Sequence, residues 1–155
     1  MEEAVNIGIK ITCDYVHITV TLSMPSYVQK SLHRFQNILR GGKEYSPYTC
    51  APIQYGQNIQ YADPLDTAEY LSDKETNHVQ QVCGTFLYYA ISIDNTILPD
   101  LSNISSEQSK STTNTAKQVA KLLNYLVSNP QAEIQYRASG IQFSIHSDAS
   151  YLSVA

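Results

Sequence analysis

The sequence predicts an α+β fold, in which an N-terminal β-hairpin and a helix precede a helical middle and a C-terminal β-hairpin. Two observations predict it. Apolar and polar residues alternate with a period of two near both ends, and apolar residues recur at helical spacing between them. The chain has 155 residues, of which 43% are hydrophobic and 15% are charged. This composition is typical of a folded chain with a core and excludes wholesale disorder.

The N-terminal region, residues 1–42, combines the first hairpin with the first helix. Two alternating runs flank the sequence CDY, which is expected to form the turn. Their apolar residues are Val5, Ile7, Ile9 and Ile11, followed by Val16, Ile18, Val20 and Leu22. Pro25 suits the first turn of a helix, and the glycine pair at 41–42 would stop it. The apolar face of this helix is Val28, Leu32, Phe35 and Leu39.

Residues 43–75 lack a sustained period and contain three prolines. A stretch of this length without regular structure is uncommon inside a compact domain, so we interpret it as a linker, a lid or a disordered insertion. Residues 44–75 have a net charge of −5, in a chain whose total net charge is −4. Because the acids are concentrated there, the net charge argues only weakly against a nucleic-acid partner at the ends.

Helical spacing returns in residues 76–130, with one apolar face at Val79, Val82, Phe86 and Ala90 and another at Ala116, Val119, Ala120, Leu123, Leu126 and Val127. The spacing predicts a helix from about Thr76 to Ile93, a shorter one from Thr96 to Ser106, and a third long helix that ends near Asn129. Residues 131–155 alternate again around a turn at the sequence ASG, which predicts the C-terminal hairpin. The apolar residues of its two strands are Ile134 and Tyr136, followed by Ile141, Phe143 and Ile145.

Motifs of common enzymes are absent from the sequence, which has no glycine-rich phosphate loop, no His-x-x-x-His pair and no nucleophile elbow. Its three cysteines fit neither a disulfide framework nor a zinc site, and they suit a reducing compartment. The sequence has neither a secretion signal nor an apolar run of membrane-spanning length. We therefore expect an intracellular protein, cytoplasmic or nuclear, without a membrane partner.

Asp148 follows the last alternating run directly. By composition alone, it is most simply interpreted as a strand-end carboxylate that caps a turn.

Four motifs, in order and spacing, resemble the Pol polyprotein of copia-type retrotransposons. They are LSMPSYVQKSLHRFQ at 22–36, VQQVCGTFLYYA at 79–90, AKQVAKLLNYLVSNP at 116–130 and IQFSIHSDASYLS at 141–153. The resemblance runs from about Ile7 to the last residue, apart from 43–75. It implies that 1–42 is the end of the reverse-transcriptase palm and the start of the thumb, and that 76–130 is the rest of the thumb and the connection. Residues 131–155 would be the first strands of a truncated ribonuclease H domain, so the domains would be incomplete.

The resemblance gives Asp148 a second interpretation. In ribonuclease H, the acid on the first strand is one of about four carboxylates that hold two Mg²⁺ ions. Asp148 stands at that position, its partner acids would lie beyond Ala155, and no tight metal binding is expected from one aspartate. The Tyr-x-Asp-Asp motif of the polymerase site is also absent from this sequence. We therefore expect the chain to be inactive on its own.

The resemblance also implies partners, namely the remainder of Pol and an RNA/DNA hybrid or primer-template duplex. Two basic pairs at i, i+4 spacing, Lys30 with Arg34 and Lys117 with Lys121, are candidate phosphate contacts, although each could simply belong to a solvated helix face. The alternative function is that of a non-enzymatic relic or a retained protein-interaction module. Self-association of the isolated chain is expected, because both hairpins would leave sheet edges and apolar faces uncovered.

Overall fold

The computed structural model describes residues 2–35, 43–48 and 66–138. Within these ranges the fold is α+β, as predicted, with a four-stranded antiparallel sheet and four α-helices. The strands are β1 (Glu2–Asn6), β2 (Ile9–Asp14), β3 (Thr19–Ser23) and β4 (Glu133–Arg137). The helices are α1 (Tyr27–Arg34), α2 (Asp73–Ser92), α3 (Leu98–Glu107) and α4 (Thr113–Ser128).

The N-terminal region contains three strands, so the prediction of a two-stranded hairpin was wrong. The first alternating run is split by a tight turn at Ile7 and Gly8, both of which have a positive φ, and Asn6 pairs with Ile9 across it. Two consecutive residues with a positive φ are typical of the type I′ turn that joins antiparallel strands. The alternation concealed this turn, because Ile7 continues the apolar period although it lies in the turn.

The apolar residues of the predicted hairpin do not share one buried face. Val5 and Ile7 are exposed, and so are Val16 and Ile18, which lie in the turn between β2 and β3. Asp14 stabilises this turn by accepting hydrogen bonds from the backbone N–H groups of residues 16 and 17 and by contacting the His17 ring. These bonds lower the pKa of Asp14, chiefly the one to the His17 side chain.

β4 differs from its predicted role as the start of a separate C-terminal sheet. It pairs antiparallel with β3, with Leu22 opposite Ile134 and Val20 opposite Tyr136, and it is therefore the fourth strand of the N-terminal sheet. This pairing spans most of the chain and cannot be deduced from local alternation. The predicted second strand, with Ile141, Phe143 and Ile145, lies outside the described residues.

α1 and α2 have different bounds from those predicted. α1 ends at Arg34, before Leu39 and the glycine pair that was expected to stop it, and those residues lie outside the described ranges. α2 begins at Asp73, inside the segment predicted to be irregular. Ser72 and Glu75 form a capping box, in which the Glu75 carboxylate accepts hydrogen bonds from the Ser72 N–H and hydroxyl.

The other two helices lie close to their predicted positions. A short 3-10 turn at Asn95–Ile97 leads into α3, where Pro99 is tolerated because it falls in the first turn. Thr112 caps α4, and its hydroxyl accepts the backbone N–H groups of Asn114 and Thr115.

The core lies among the helices, and the sheet reaches it through β2 and β3. Of the predicted apolar helix faces, the fully or almost fully buried residues are Val28, Leu32, Val79, Val82, Phe86, Ala90, Val119, Leu123 and Leu126. Ile9 and Leu22 pack against this core from the sheet.

Tyr89 of α2 connects the helices to the sheet. Its ring stacks on Tyr27 with centroids 5.7 Å apart, and its hydroxyl accepts a hydrogen bond from the N–H of Ala132 at 3.2 Å. α2 is therefore the central element, in contact with α1, α3, α4 and the approach to β4.

None of the helices in the described ranges combines the length and apolarity that a membrane span requires.

Candidate nucleic-acid interface

The first basic pair lies on the outer face of α1. Val28 and Leu32 turn the opposite face of this short helix into the core, so Lys30 and Arg34 are exposed one turn apart. Neither side chain forms an ion pair with any residue of the described ranges. The Arg34 guanidinium lies 5.7 Å from the centroid of the Phe35 ring, a cation–π contact that leaves its charge in place. The α1 pair therefore presents two positive charges to solvent.

Lys117, in the first half of α4, has a different environment. The Asp66 carboxylate lies across the N-terminus of α4, where it accepts hydrogen bonds from the Thr112 hydroxyl and the Asn114 side-chain amide. These bonds lower the pKa of Asp66, chiefly the one from Thr112, and the Lys117 charge contributes as well. Lys117 also lies 3.4 Å from the Asn114 side-chain oxygen. Its charge is consequently shared with an acid of the same chain.

Lys121, one turn further along α4, lies close enough to Asp100 of α3 to influence that carboxyl. Asp100 is only 5% exposed, and burial raises its pKa to about 6, while the Lys121 charge opposes this shift. Burial also raises the pKa of the Cys83 thiol, and the negative charge of Asp100 raises this pKa as well. The structure therefore places Lys117 and Lys121 on one helix as predicted, but each lies beside a carboxylate.

The two basic pairs belong to helices that pack against each other, α1 and α4. Next to them, a groove of about 390 Å³ separates the first halves of α2 and α4. Its walls are mainly apolar, with Val79, Val119 and Leu123, and its rim carries Lys74 and His78. An apolar groove does not bind phosphate, so the candidate phosphate contacts remain the lysine and arginine side chains.

The predicted catalytic and metal-binding residue, Asp148, lies outside the described residues. Within residues 2–35, 43–48 and 66–138, no three His, Cys, Asp or Glu side chains come together as a possible ion site.

Comparison with known proteins identifies no relative: no protein-family model, curated protein or solved structure matches this chain.

Two residues that shape this site were missed from the sequence. Asp66 was assigned to an irregular acidic segment, and nothing local indicates that it reaches the N-terminus of α4. Asp100 offered a signal, because it stands in the first turn of α3 between apolar residues that repeat at helical spacing, Ile97, Leu101 and Ile104. An acid in the first turn is ordinarily explained by the helix dipole, which conceals its burial.

Proposed function

We propose that the chain is a section of a copia-type Pol polyprotein whose helical layer contacts the backbone of an RNA/DNA hybrid or primer-template duplex. The observation that carries this proposal is the exposed Lys30–Arg34 pair on α1, which forms no ion pair within the described ranges. The four motifs that resemble Pol add support, since α1 lies within the first of them. Contacts of this kind are made to phosphates and are independent of base sequence.

The two basic pairs contribute unequally to this binding. Lys30 and Arg34 can give their full charge to phosphates, because no described acid competes for them. The charge of Lys117 is partly offset by Asp66, and Lys121 lies beside the carboxyl of Asp100. The α1 pair is therefore the stronger of the two contacts.

Reversal of the charges on α1 tests this proposal. The Lys30→Glu, Arg34→Glu variant should bind a fluorescently labelled RNA/DNA hybrid more weakly, whatever the hybrid sequence. The slope of log affinity against log salt concentration should become shallower by about 2, because about two phosphate contacts are lost. Fluorescence anisotropy titrations at several salt concentrations give both quantities.

The matched control is Lys110→Glu, Arg137→Glu, which changes the net charge equally at two exposed basic residues outside the candidate site. It should leave the salt slope within about half a unit of the parent chain. If both variants lose affinity to the same degree, only net charge matters, and Lys30 and Arg34 are solvated residues without a binding role.

A second experiment addresses Asp148. The 155-residue chain should show no polymerase and no nuclease activity, since two-ion hydrolysis needs several carboxylates and this chain offers one candidate at that position. A fusion to the remaining ribonuclease H sequence of a copia-type Pol polyprotein should cleave the RNA strand of a hybrid in Mg²⁺. Asp148→Asn in this fusion should abolish the cleavage, because the amide lacks the charge that holds the ion.

Glu133→Gln is the matched control in the same fusion, because Glu133 is an exposed acid on β4 that the resemblance assigns no catalytic role. It should leave cleavage unchanged. Cleavage that survives Asp148→Asn would contradict the assignment of Asp148.

The alternative, a non-enzymatic interaction module, is favoured by one observation. α2 carries exposed apolar side chains on the side that faces away from the core, including Leu87 and Ile91. A helix that is apolar on two sides is typical of an element with neighbours on both.

A further inference from the structure

A second cleft, of about 600 Å³, lies at the opposite end of α2 and α4 from the apolar groove. It opens where the residues that follow both helices meet the start of β4. Its walls are mainly polar and include Asp94, Asn95, Thr96, Asn129, Gln131 and Glu133. A volume of this size is typical of sites that hold small molecules. Neither basic pair lines the cleft, so it is separate from the candidate nucleic-acid interface.

Asp94, which follows α2, is a buried acid with one oxygen that has no hydrogen-bond donor. The residue is only 6% exposed, and its Oδ1 atom accepts hydrogen bonds from the backbone N–H and the hydroxyl of Thr96. No residue in the described ranges donates to Oδ2 or forms an ion pair with this carboxylate. A carboxylate that has lost most of its water is stabilised by a donor or a cation. Because Asp94 lines the cleft, a ligand there can supply one.

Asn129, at the end of α4, adds a second acceptor to the cleft. Its side-chain NH₂ group donates hydrogen bonds to the carbonyl oxygens of Glu44 and Tyr125, at 3.2 and 3.0 Å. These two bonds fix the orientation of the amide group. Its side-chain oxygen receives no hydrogen bond from any described residue, so it can accept one from a ligand.

The electrostatic field of the cleft is negative. Two acids line it, Asp94 and Glu133, and none of the described residues that line it is Lys, Arg or His. The C-terminal ends of α2 and α4 also lie at the cleft, and each carries the partial negative charge of a helix dipole. Neither helix has a basic residue in its last turn to compensate that charge. The cleft therefore favours a cation with hydrogen-bond donors.

The aromatic side chains of the cleft favour an organic cation over a metal ion. Tyr125 and Tyr136 both line it, and Tyr136 is 56% exposed, so its ring is accessible to a ligand. Aromatic rings bind ammonium and guanidinium groups through cation–π contacts. A divalent metal ion requires more oxygen or nitrogen ligands, and no group of three such side chains exists in the part of the chain that the structure describes.

We propose that this cleft binds an organic cation through its ammonium or guanidinium group. Asp94 is the charge partner, the Asn129 side-chain oxygen accepts a hydrogen bond from the cation, and Tyr125 and Tyr136 contact it through their rings. The site is independent of nucleic-acid binding and of the proposed function. The same group occurs in free polyamines and in the lysine or arginine side chains of other proteins, so the test uses one probe of each kind.

Isothermal titration calorimetry of the full chain at pH 7.5 tests the proposal, with spermidine as one probe and a blocked peptide with a single central arginine as the other. At least one probe should bind saturably to one site, and an uncharged diol of the same length as spermidine should not bind. The probe with the higher affinity identifies the source of the cation. Saturable binding of neither probe, or binding of Mg²⁺ alone, would overturn the proposal.

Asp94→Asn should weaken the binding at least about tenfold, because the charge is lost. Asparagine is as good a helix cap as aspartate and can still accept the bonds from Thr96, so the local fold should persist. Tyr136→Leu, on the surface of β4, should weaken the binding about threefold by removing the ring. Asp73→Asn is the matched control, since it removes an exposed acid at the far end of α2.

The control should bind like the parent chain, and thermal unfolding of each variant verifies that it is folded. Equal losses of affinity in Asp94→Asn and Asp73→Asn would mean that the cation follows net charge only, which would contradict the site. Unchanged affinity in both Asp94→Asn and Tyr136→Leu would place the bound cation elsewhere on the chain.

Discussion

Replacing Phe86 with alanine should lower the free energy of unfolding by about 3–5 kcal/mol, the usual cost of removing a large aromatic side chain from a core. Phe86 is fully buried in α2, and its ring lies 6.2 Å from that of Phe35, which follows α1. Phe35 in turn contacts the His78 ring edge to face at 5.5 Å. The substitution therefore leaves a cavity where α1 meets α2, and such a loss is a large share of the 5–15 kcal/mol that stabilises a typical domain.

Urea denaturation followed by circular dichroism gives this free energy. Val16→Ala is the reference substitution, because Val16 is 85% exposed and its truncation should change the stability by less than about 0.5 kcal/mol. If Phe86→Ala were no more destabilising than Val16→Ala, Phe86 would not belong to the core that joins α1 to α2.

The helical part of the fold could be predicted from the sequence because its signals are local. Phe86 and Val119 were assigned to buried helix faces from their spacing alone, and both are buried. The sequence also contains the Ser72–Glu75 capping box, which predicts the start of α2 at the observed residue. Apolar spacing alone placed the start three residues late, because it detects the buried face and not the cap.

The sheet could be predicted only in part, because strand pairing depends on distant residues. Ile7 illustrates the local problem: it continues the apolar alternation, yet it lies in a turn with a φ of 50°. A β-branched residue rarely adopts a positive φ, so its type argued against the turn that the fold imposes. The turn is held from outside, because the Tyr88 hydroxyl of α2 donates a hydrogen bond to the Ile7 carbonyl at 2.8 Å, a contact between residues far apart in the sequence. The pairing of β4 with β3 is long-range in the same sense.

For the candidate site, the sequence predicted which side chains would be exposed on α1 but not the surroundings of those on α4. Helical spacing places Lys30 and Arg34 opposite the buried face of a short amphipathic helix, and they are exposed there. The same spacing holds for Lys117 and Lys121, but their neighbours come from other parts of the chain. Asp66 approaches from the segment before α2, and Asp100 from α3. Only the folded structure shows that nearby carboxylates partly offset the positive charges of these lysines.

Asp100 also gives the fold a pH dependence with a definite sign. One of its carboxyl oxygens is buried and has no hydrogen-bond partner among the described residues. The charged groups near it are Lys121 of α4 and, when ionised, the Cys83 thiol of α2. Burial outweighs the attraction of Lys121 and raises the pKa of Asp100 from 3.8 to about 6.

A raised carboxyl pKa means that the folded chain holds a proton that the unfolded chain releases between about pH 4 and pH 6. Stability is therefore expected to fall as the pH rises through this interval. Above about pH 6, the folded chain carries the full free-energy cost of the buried, ionised carboxylate. A shift of this size corresponds to on the order of 2–3 kcal/mol at neutral pH. This contribution is opposite in sign to that of the usual surface aspartate, whose pKa is lowered in the folded state.

The Asp100→Asn substitution should therefore stabilise the chain at pH 7.5 by on the order of 2–3 kcal/mol, because the amide has a similar shape and no charge to bury. The advantage should shrink as the pH falls from 6 to 4 and vanish once Asp100 of the parent chain is protonated. Urea denaturation of both proteins across this range measures the difference, in which the titration of every other group cancels. Asp73→Asn, which alters an exposed acid in the first turn of α2, should change stability by less than about 1 kcal/mol. An Asp100→Asn protein that is less stable than the parent at pH 7.5 would mean that the ionised carboxylate is stabilised where it lies, and that α3 is held against α2 and α4 by its charge.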